Sequence, residues 1–278
     1  MKKVRILGIE SSCDETSVSI IERSTAGKVK ILSNIVKSQL SVHENFGGVV
    51  PELAARAHSE IIDELILMAL KKAKIKFKGL NAIAATSGPG LLGGLLVGVV
   101  AAKTLSSALN IPFIAINHLE GHALSVHLEK EIEYPYLLLL VSGGHTEFTI
   151  INKFNNYKRI GTTLDDALGE AFDKTARLLN LGYPGGPEIE KHATKGNENK
   201  FKLPQPLIHE KNCHFSFSGL KSSIAQIVHK NKIDLKFKKD MSASFQKTIV
   251  DILNIKTQRA VEIFKKMTKK NSKTTVVV

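Results

Sequence analysis

Val4-Arg5-Ile6-Leu7-Gly8-Ile9-Glu10-Ser11-Ser12-Cys13-Asp14-Glu15-Thr16-Ser17-Val18-Ser19-Ile20-Ile21 opens the chain with a pattern that returns at Leu137-Leu138-Leu139-Leu140-Val141-Ser142-Gly143-Gly144-His145-Thr146-Glu147-Phe148-Thr149-Ile150-Ile151. Each stretch is an apolar run, a short polar or glycine turn, and a second apolar run. That pattern predicts paired strands: 4–9 with 17–21 around the turn 11–15, and 137–141 with 147–151 around Ser142-Gly143-Gly144. Working outward from the first pair, 29–36 reads as a third strand. A helix follows from Pro51, where Leu53, Ala54, Ala57, Ile61, Leu65 and Met68 repeat at helical spacing. Then come a strand at 82–85, a glycine turn at 87–90, a small-residue helix over about 92–109 and a strand at 113–116. The second copy adds a strand near 157–160 and a helix over about 164–180. An insertion rich in Gly, Pro, Asn and Lys spans 182–213, followed by helices near 219–229 and 241–270. Thr275-Val276-Val277-Val278 reads as the start of a strand. Two copies of one topology predict two α/β lobes, 1–134 and 135–278, with a cleft between them. The second carries a basic helical insertion over about 182–270 and lacks the last turn, helix and strand of the first.

The 278 residues are 43% hydrophobic and 23% charged, the composition of a globular protein. The apolar run 91–102 is too short to span a bilayer, and the N-terminus does not resemble a signal peptide, so a cytoplasmic protein without a membrane partner is expected. Cys13 and Cys213 stand far apart and fit a reducing compartment. The net charge of +13 arises entirely after residue 190. Residues 191–278 hold 19 Lys and Arg against six acids, whereas the first 190 hold 20 of each. Such asymmetry suggests a polyanionic partner, nucleic acid above all, and it is equally consistent with solvated helix faces at 236–239 and 265–270.

Asn117-His118-Leu119-Glu120-Gly121-His122 follows the apolar run 111–116. If a helix starts near Asn117, His118 and His122 share one face at a spacing that lets both imidazoles reach one metal ion. A helix start with a polar exposed face fits as well. The turns at 11–15 and 142–144 present backbone N–H groups at strand ends, as a phosphate site requires. Asp14 or Glu15 would repel a phosphate unless it acts through a cation or as an acid/base group. The segment 162–174 predicts a helix opening with acids near its start. Asp173 lies deeper than capping needs, which suits a ribose hydroxyl or an ion pair with Lys174 or Arg177. The loop 182–187 could pack against a base, with Glu188 or Glu190 reaching the sugar.

Taken together, Gly8 to Thr16, His118-Leu119-Glu120-Gly121-His122, Leu140 to Thr146, Ala171-Phe172-Asp173-Lys174 through Gly185-Gly186-Pro187, and Phe215 to Lys221 resemble the bacterial branch of the universal tRNA threonylcarbamoyladenosine synthesis proteins. The resemblance runs in register along the whole chain. It implies the duplicated two-lobed fold of actin, sugar kinases and the Hsp70 ATPase domain. It also implies transfer of a threonylcarbamoyl group from threonylcarbamoyl-adenylate to N6 of adenosine 37, in tRNAs reading codons that start with A. By the same resemblance His118 and His122 bind one divalent metal ion, iron before zinc. Leu140, Val141, Ser142, Gly143, Gly144, Asp173, Gly186 and Glu190 line the adenylate site, and Asp14 and Glu15 support catalysis. The implied partners are tRNA, an inactive paralogue of the same fold and a small P-loop ATPase.

Leu140 stands where the archaeal and eukaryotic branch carries a tyrosine, so no tyrosyl ligand is implied. Family members continue into a Gly-Gly-Val-Ala-Ala-Asn segment and an Asp that completes the metal site. Neither occurs in these residues, so a truncated second lobe, weakened metal binding and doubtful activity are expected. Two other functions compete. A metallopeptidase would use the His pair, although Glu120 follows His118 by two residues rather than directly as in the zincin pattern. A non-catalytic scaffold of the same fold would have no use for His118 and His122.

Overall fold

The computed structural model describes residues 2–268 and 274–278, which divide into two compact units, Met1–Glu131 and Ile132–Val278. In the first unit, β1 (Val4–Glu10) pairs antiparallel with β2 (Glu15–Arg23), and β2 with β3 (Val29–Ser38). A four-residue helix α1 (Leu40–His43) leads to α2 (Pro51–Ala73), which starts on its proline because Pro51 lacks only an N–H that the first turn leaves unbonded. Strand β4 (Ala82–Gly88) then lies parallel to β1, α3 (Leu92–Leu109) crosses the sheet, β5 (Phe113–Asn117) lies parallel to β4, and α4 (His118–Ser125) follows. The sheet order is β3-β2-β1-β4-β5. Its apolar face is visible in β1, where Leu7 and Ile9 are buried and their neighbours less so. Those two pack with Val18, Ile20 and Ile83 and with Ile62, Leu65, Ile66 and Leu70 of α2.

The second unit begins the same way. Strands β6 (Tyr136–Val141), β7 (Thr146–Lys153) and β8 (Asn156–Thr162) form an antiparallel meander, and β9 (Val276–Val277) pairs parallel with Leu137 and Leu138. The order β8-β7-β6-β9 repeats β3-β2-β1-β4 of the first unit. Among the described residues four helices follow in the unit: α5 (Leu168–Leu178), α6 (Gly185–Ala193), α7 (Ser218–His229) and the 34-residue α8 (Leu235–Thr268). The first five residues of β6 are all buried, as a strand covered on both faces must be. Their core joins Phe148, Phe215 and Phe217 to Phe245, Ile249, Ile252 and Phe264 of α8. Lys256 of α8, fully buried, donates to the carbonyls of Leu207 (2.7 Å) and Asn212 (3.1 Å) and so ties the connection before α7 to that helix.

Several sequence expectations need correction. Glu15 belongs to β2 and is exposed, not to the turn. The helix predicted from 164 starts at Leu168, because Thr163 and Asp165 are held in bonds to other segments. The insertion at 182–213 contains helix α6, whose glycines and proline sit in its first turn. Helix α8 starts at Leu235, six residues early, its first turn closed by Asp234 Oδ1 accepting from Phe237 N–H at 2.8 Å. Lys269 and Lys270 of the predicted helix lie outside the described residues. By length and composition α3 could cross a membrane, the single such helix among the described residues. It packs instead on β1, β4 and α2, with Gly94, Leu95, Gly98, Ala102 and Ser106 buried.

Candidate functional site

In the first unit the chemistry gathers where β1 and β5 end. Asn117 caps α4, its Oδ1 accepting from the N–H groups of Leu119 (2.9 Å) and Glu120 (3.2 Å). One turn of that helix brings His118 Nε2 and His122 Nε2 to 3.2 Å, with the rings edge to face. Two nitrogens bound about 2.0–2.1 Å from one tetrahedral ion stand roughly 3.3 Å apart, so the pair fits two positions of a metal site. The other ring nitrogen, His118 Nδ1, lies 3.2 Å from Glu10 Oε2. A carboxylate there takes the Nδ1 hydrogen and leaves the Nε2 lone pair for a metal, the usual arrangement behind a histidine ligand. Among the described residues no group of three His, Cys, Asp or Glu side chains is placed to hold an ion.

Sequence reasoning gives Glu10 no task, and the structure makes it the hub. Its Oε1 accepts from Ser12 N–H at 2.6 Å and its Oε2 from Thr86 Oγ at 2.5 Å, while Ser12 Oγ lies 3.2 Å from His118 Nδ1. Burial pushes the Glu10 carboxyl up, but the hydrogen bonds from His118, Ser12 and Thr86 outweigh it and hold the pKa at about 2. The turn bearing Asp14 therefore touches the histidine pair through Ser12. Asp14 is half-buried beside Cys13. Although Cys13 reaches solvent, desolvation and the adjacent Asp14 push its thiol up to about 12. A glutamate ending a strand, two residues before a turn backbone it can cap, is the signal that would have found Glu10.

In the second unit the predicted substrate residues surround α5. Leu140 is buried; Val141, Gly143 and Gly144 are exposed, and a Cβ on either glycine would meet nothing within 4 Å. The turn is closed by Ser142 N–H donating to His145 O (2.8 Å) and His145 N–H to Ser142 Oγ (3.0 Å). Gly169, on the first turn of α5, donates its N–H to Ser142 O at 3.2 Å. A Cβ there would stand 2.8 Å from Gly143 Cα, so only glycine lets α5 seat against this turn. One turn further along, Asp173 Oδ1 accepts from Gly185 N–H at 2.7 Å and so holds the start of α6. Gly186 and the exposed Glu190 belong to that helix. Lys174 pairs with Asp166 (2.7 Å) and Glu170 (2.8 Å). A cavity of ≈ 560 Å³ between the α6–α7 connection and α8, lined by Phe201, Lys202, Pro204, His209, Lys247 and Asp251, contains none of these residues.

Asp165, an acid placed by its sequence position to serve the start of α5, does something else. Its two oxygens accept from Ser216 Oγ (2.5 Å), Phe217 N–H (2.7 Å), Ser218 N–H (3.2 Å) and Ser218 Oγ (2.7 Å), capping α7 from another segment. Burial raises its pKa, and these donors lower it further, leaving it below the ordinary value. The clamp continues into backbone, Leu164 N–H to Phe215 O at 2.9 Å and Phe215 N–H to Thr162 O at 3.0 Å.

The repeated sheet order and the turns that end β1 and β6 define the duplicated actin-like α/β class. The family described as tRNA N6-adenosine threonylcarbamoyltransferase, TsaD, matches residues 30–278. A relative of that name from Pelagibacter ubique is 55% identical over 276 residues, covering 99% of this chain and 77% of its own. One from Bartonella henselae is 55% identical over 265 residues, covering 94% and 72%. The chain belongs to this family of tRNA-modifying transferases. Among solved structures, YeaZ from Pseudomonas aeruginosa matches with a TM-score of 0.38 at 16% identity, over 56% of this chain and 63% of its own. The Aquifex aeolicus PPX-GPPA enzyme matches with a TM-score of 0.41 at 11% identity, over 92% and 93%.

Proposed function

We propose that this chain transfers the threonylcarbamoyl group of threonylcarbamoyl-adenylate to N6 of adenosine 37 in tRNAs that read codons beginning with A. The observation that carries the reading is the His118–His122 pair, with Glu10 behind His118 and the Asp14 turn bonded to the same ring through Ser12. His118 and His122 would hold a divalent ion, iron before zinc, which would supply Lewis acidity toward an oxygen of the acyl-adenylate. Glu10 fixes the His118 ring. In the second unit the N–H groups of Gly143 and Gly144 bind the phosphate, Val141 and Gly186 pack on the nucleoside, and Asp173 and Glu190 take the ribose hydroxyls.

In the transfer the adenine N6 nitrogen forms a bond to the carbamoyl carbon, the bond from that carbon to the phosphate oxygen breaks, and AMP leaves with the electron pair. An exocyclic adenine amine is a weak nucleophile, so its proton must be removed as it attacks, and Asp14 is the group we assign to receive it, with Glu15 in support. The basic surface of residues 191–278 holds the tRNA backbone. An inactive paralogue of the same fold and a small P-loop ATPase complete the system, in the cytoplasm. Replacing Asp14 by Asn tests the assignment. Transfer should fall by about 10²–10⁴ while adenylate affinity holds; unchanged transfer with intact binding would remove Asp14 as the base.

A further inference from the structure

Behind the turn that carries Asp14 lies a buried polar group with no task in the reaction described so far. His58 of α2, His43 and Thr16 are fully buried, and Gln39 nearly so. Their hydrogen bonds close in a single arrangement of protons. His58 Nε2 lies 3.1 Å from the Cys13 carbonyl, which can only accept, so that nitrogen carries the hydrogen. His58 Nδ1 is then an acceptor, for the Thr16 hydroxyl at 2.7 Å and for Gln39 Nε2 at 3.1 Å. Gln39 Oε1 accepts from His43 Nε2 at 3.2 Å, and His43 Nδ1 accepts from Val50 N–H at 3.3 Å. Burial pushes the His58 pKa down, in keeping with a neutral ring.

This group grips the catalytic turn by two successive carbonyls: Cys13 O takes His58 Nε2–H, and Asp14 O takes Gln39 N–H at 3.0 Å. From α3, Gly94 O accepts from Ser11 Oγ at 2.9 Å, and a Cβ at Gly94 would press on Ser11 O and stand 3.1 Å from the His58 ring. The three-sided grip leaves the Asp14 side chain one backbone conformation from which to work.

We propose that His58 is a positioning residue for the transfer, holding the Cys13 carbonyl so that the neighbouring Asp14 carboxylate stays aimed at the reacting amine. This rests on the reading of Asp14 as the base. Misplacement of a reacting group by about 1 Å costs on the order of a hundredfold in rate. Substrate binding in the second unit involves none of these residues, so the effect belongs in kcat rather than in KM for the adenylate.

The test measures kcat and KM of the full chain together with the rate at which iodoacetamide alkylates Cys13. Cys13 is exposed and Cys213 buried, so one thiol reports on the turn. His58→Asn is too short to reach Cys13 O. It should lower kcat by roughly tenfold to a hundredfold, leave KM within about twofold and speed alkylation several-fold. His58→Gln brings an amide N–H to the place of Nε2 and should restore most of kcat and the slow alkylation. A folded His58→Asn protein with wild-type kcat overturns the proposal. So does a His58→Gln protein alkylated at the wild-type rate yet more than tenfold down in kcat, which decides the matter even if His58→Asn does not fold. Asp14→Asn, run beside them, separates the two ideas: if it transfers at the wild-type rate the base assignment itself is gone, and the positioning role with it.

Discussion

At the scale of single residues Glu10 carries more of the site than any residue chosen for its chemistry. Its carboxylate serves His118, Ser12 and Thr86 together, and those bonds hold its pKa at about 2 against burial, so it is an anion at any working pH. Glu10→Gln puts an amide N–H₂ where an acceptor is needed and removes the charge that favours an Nδ1–H on His118. If His118 and His122 hold a metal as proposed, its affinity should fall about 10–100-fold, read by metal titration, with the folded protein retained; unchanged affinity would mean that Glu10 does not tune the ligand. Residues at this scale are legible in the sequence when their spacing alone implies an encounter. His118 and His122 meet because a helix places i and i+4 together, and Ser142-Gly143-Gly144 is a turn wherever it sits. Glu10, Thr86 and His58 are not legible in that way. Glu10 meets Thr86 and His118 across 76 and 108 positions, because β1 pairs with β4 and β4 with β5, and His58 meets Thr16 across 42, because α2 packs on β2.

Elements show the same division between local and distant causes. Helix α2 is predictable from proline and apolar periodicity, and α3 from its small residues, because each element's own sequence sets its limits. The start of α5 escapes such reading because Asp165, a good local cap, is committed to α7 across 51 to 53 residues of sequence. Asp165→Ala should therefore destabilise the second unit by about 0.5–2 kcal/mol, the usual range for removal of a cap, measured by urea unfolding. The pH dependence has a definite sign. The folded pKa is below the ordinary 3.8, so in acid the unfolded chain binds the proton more readily than the fold does. The stabilisation is whole above about pH 5 and is lost as pH falls through the ordinary value toward the folded one. Between about pH 6 and pH 3 the wild type should lose more stability than Asp165→Asn; equal losses would show that the carboxylate charge is not what the cap uses.

For the whole molecule, the duplication is readable because strand, turn and strand recur with similar polarity in both halves, and β9 lies on β6 as β4 lies on β1. Charge distinguishes the halves. Residues 191–278 carry the whole excess of basic side chains, with Lys221, Lys230 and Lys232 exposed around α7. Lys28, Lys30 and Lys37 of the first unit are equally exposed but belong to a part of the chain with no net charge. If tRNA is held by its phosphates in the second unit, the triple change of Lys221, Lys230 and Lys232 to Gln should weaken tRNA binding. It should also flatten the dependence of log affinity on log salt, by about 0.7 to 0.9 for each phosphate no longer neutralised. The same change at Lys28, Lys30 and Lys37 should leave the slope close to wild type, because those side chains contribute to net charge without meeting the polyanion. Binding measured across about 50 to 200 mM salt distinguishes these outcomes. Equal weakening by both triple variants would mean that overall charge attracts the tRNA, and that the basic surface of the second unit does not seat it.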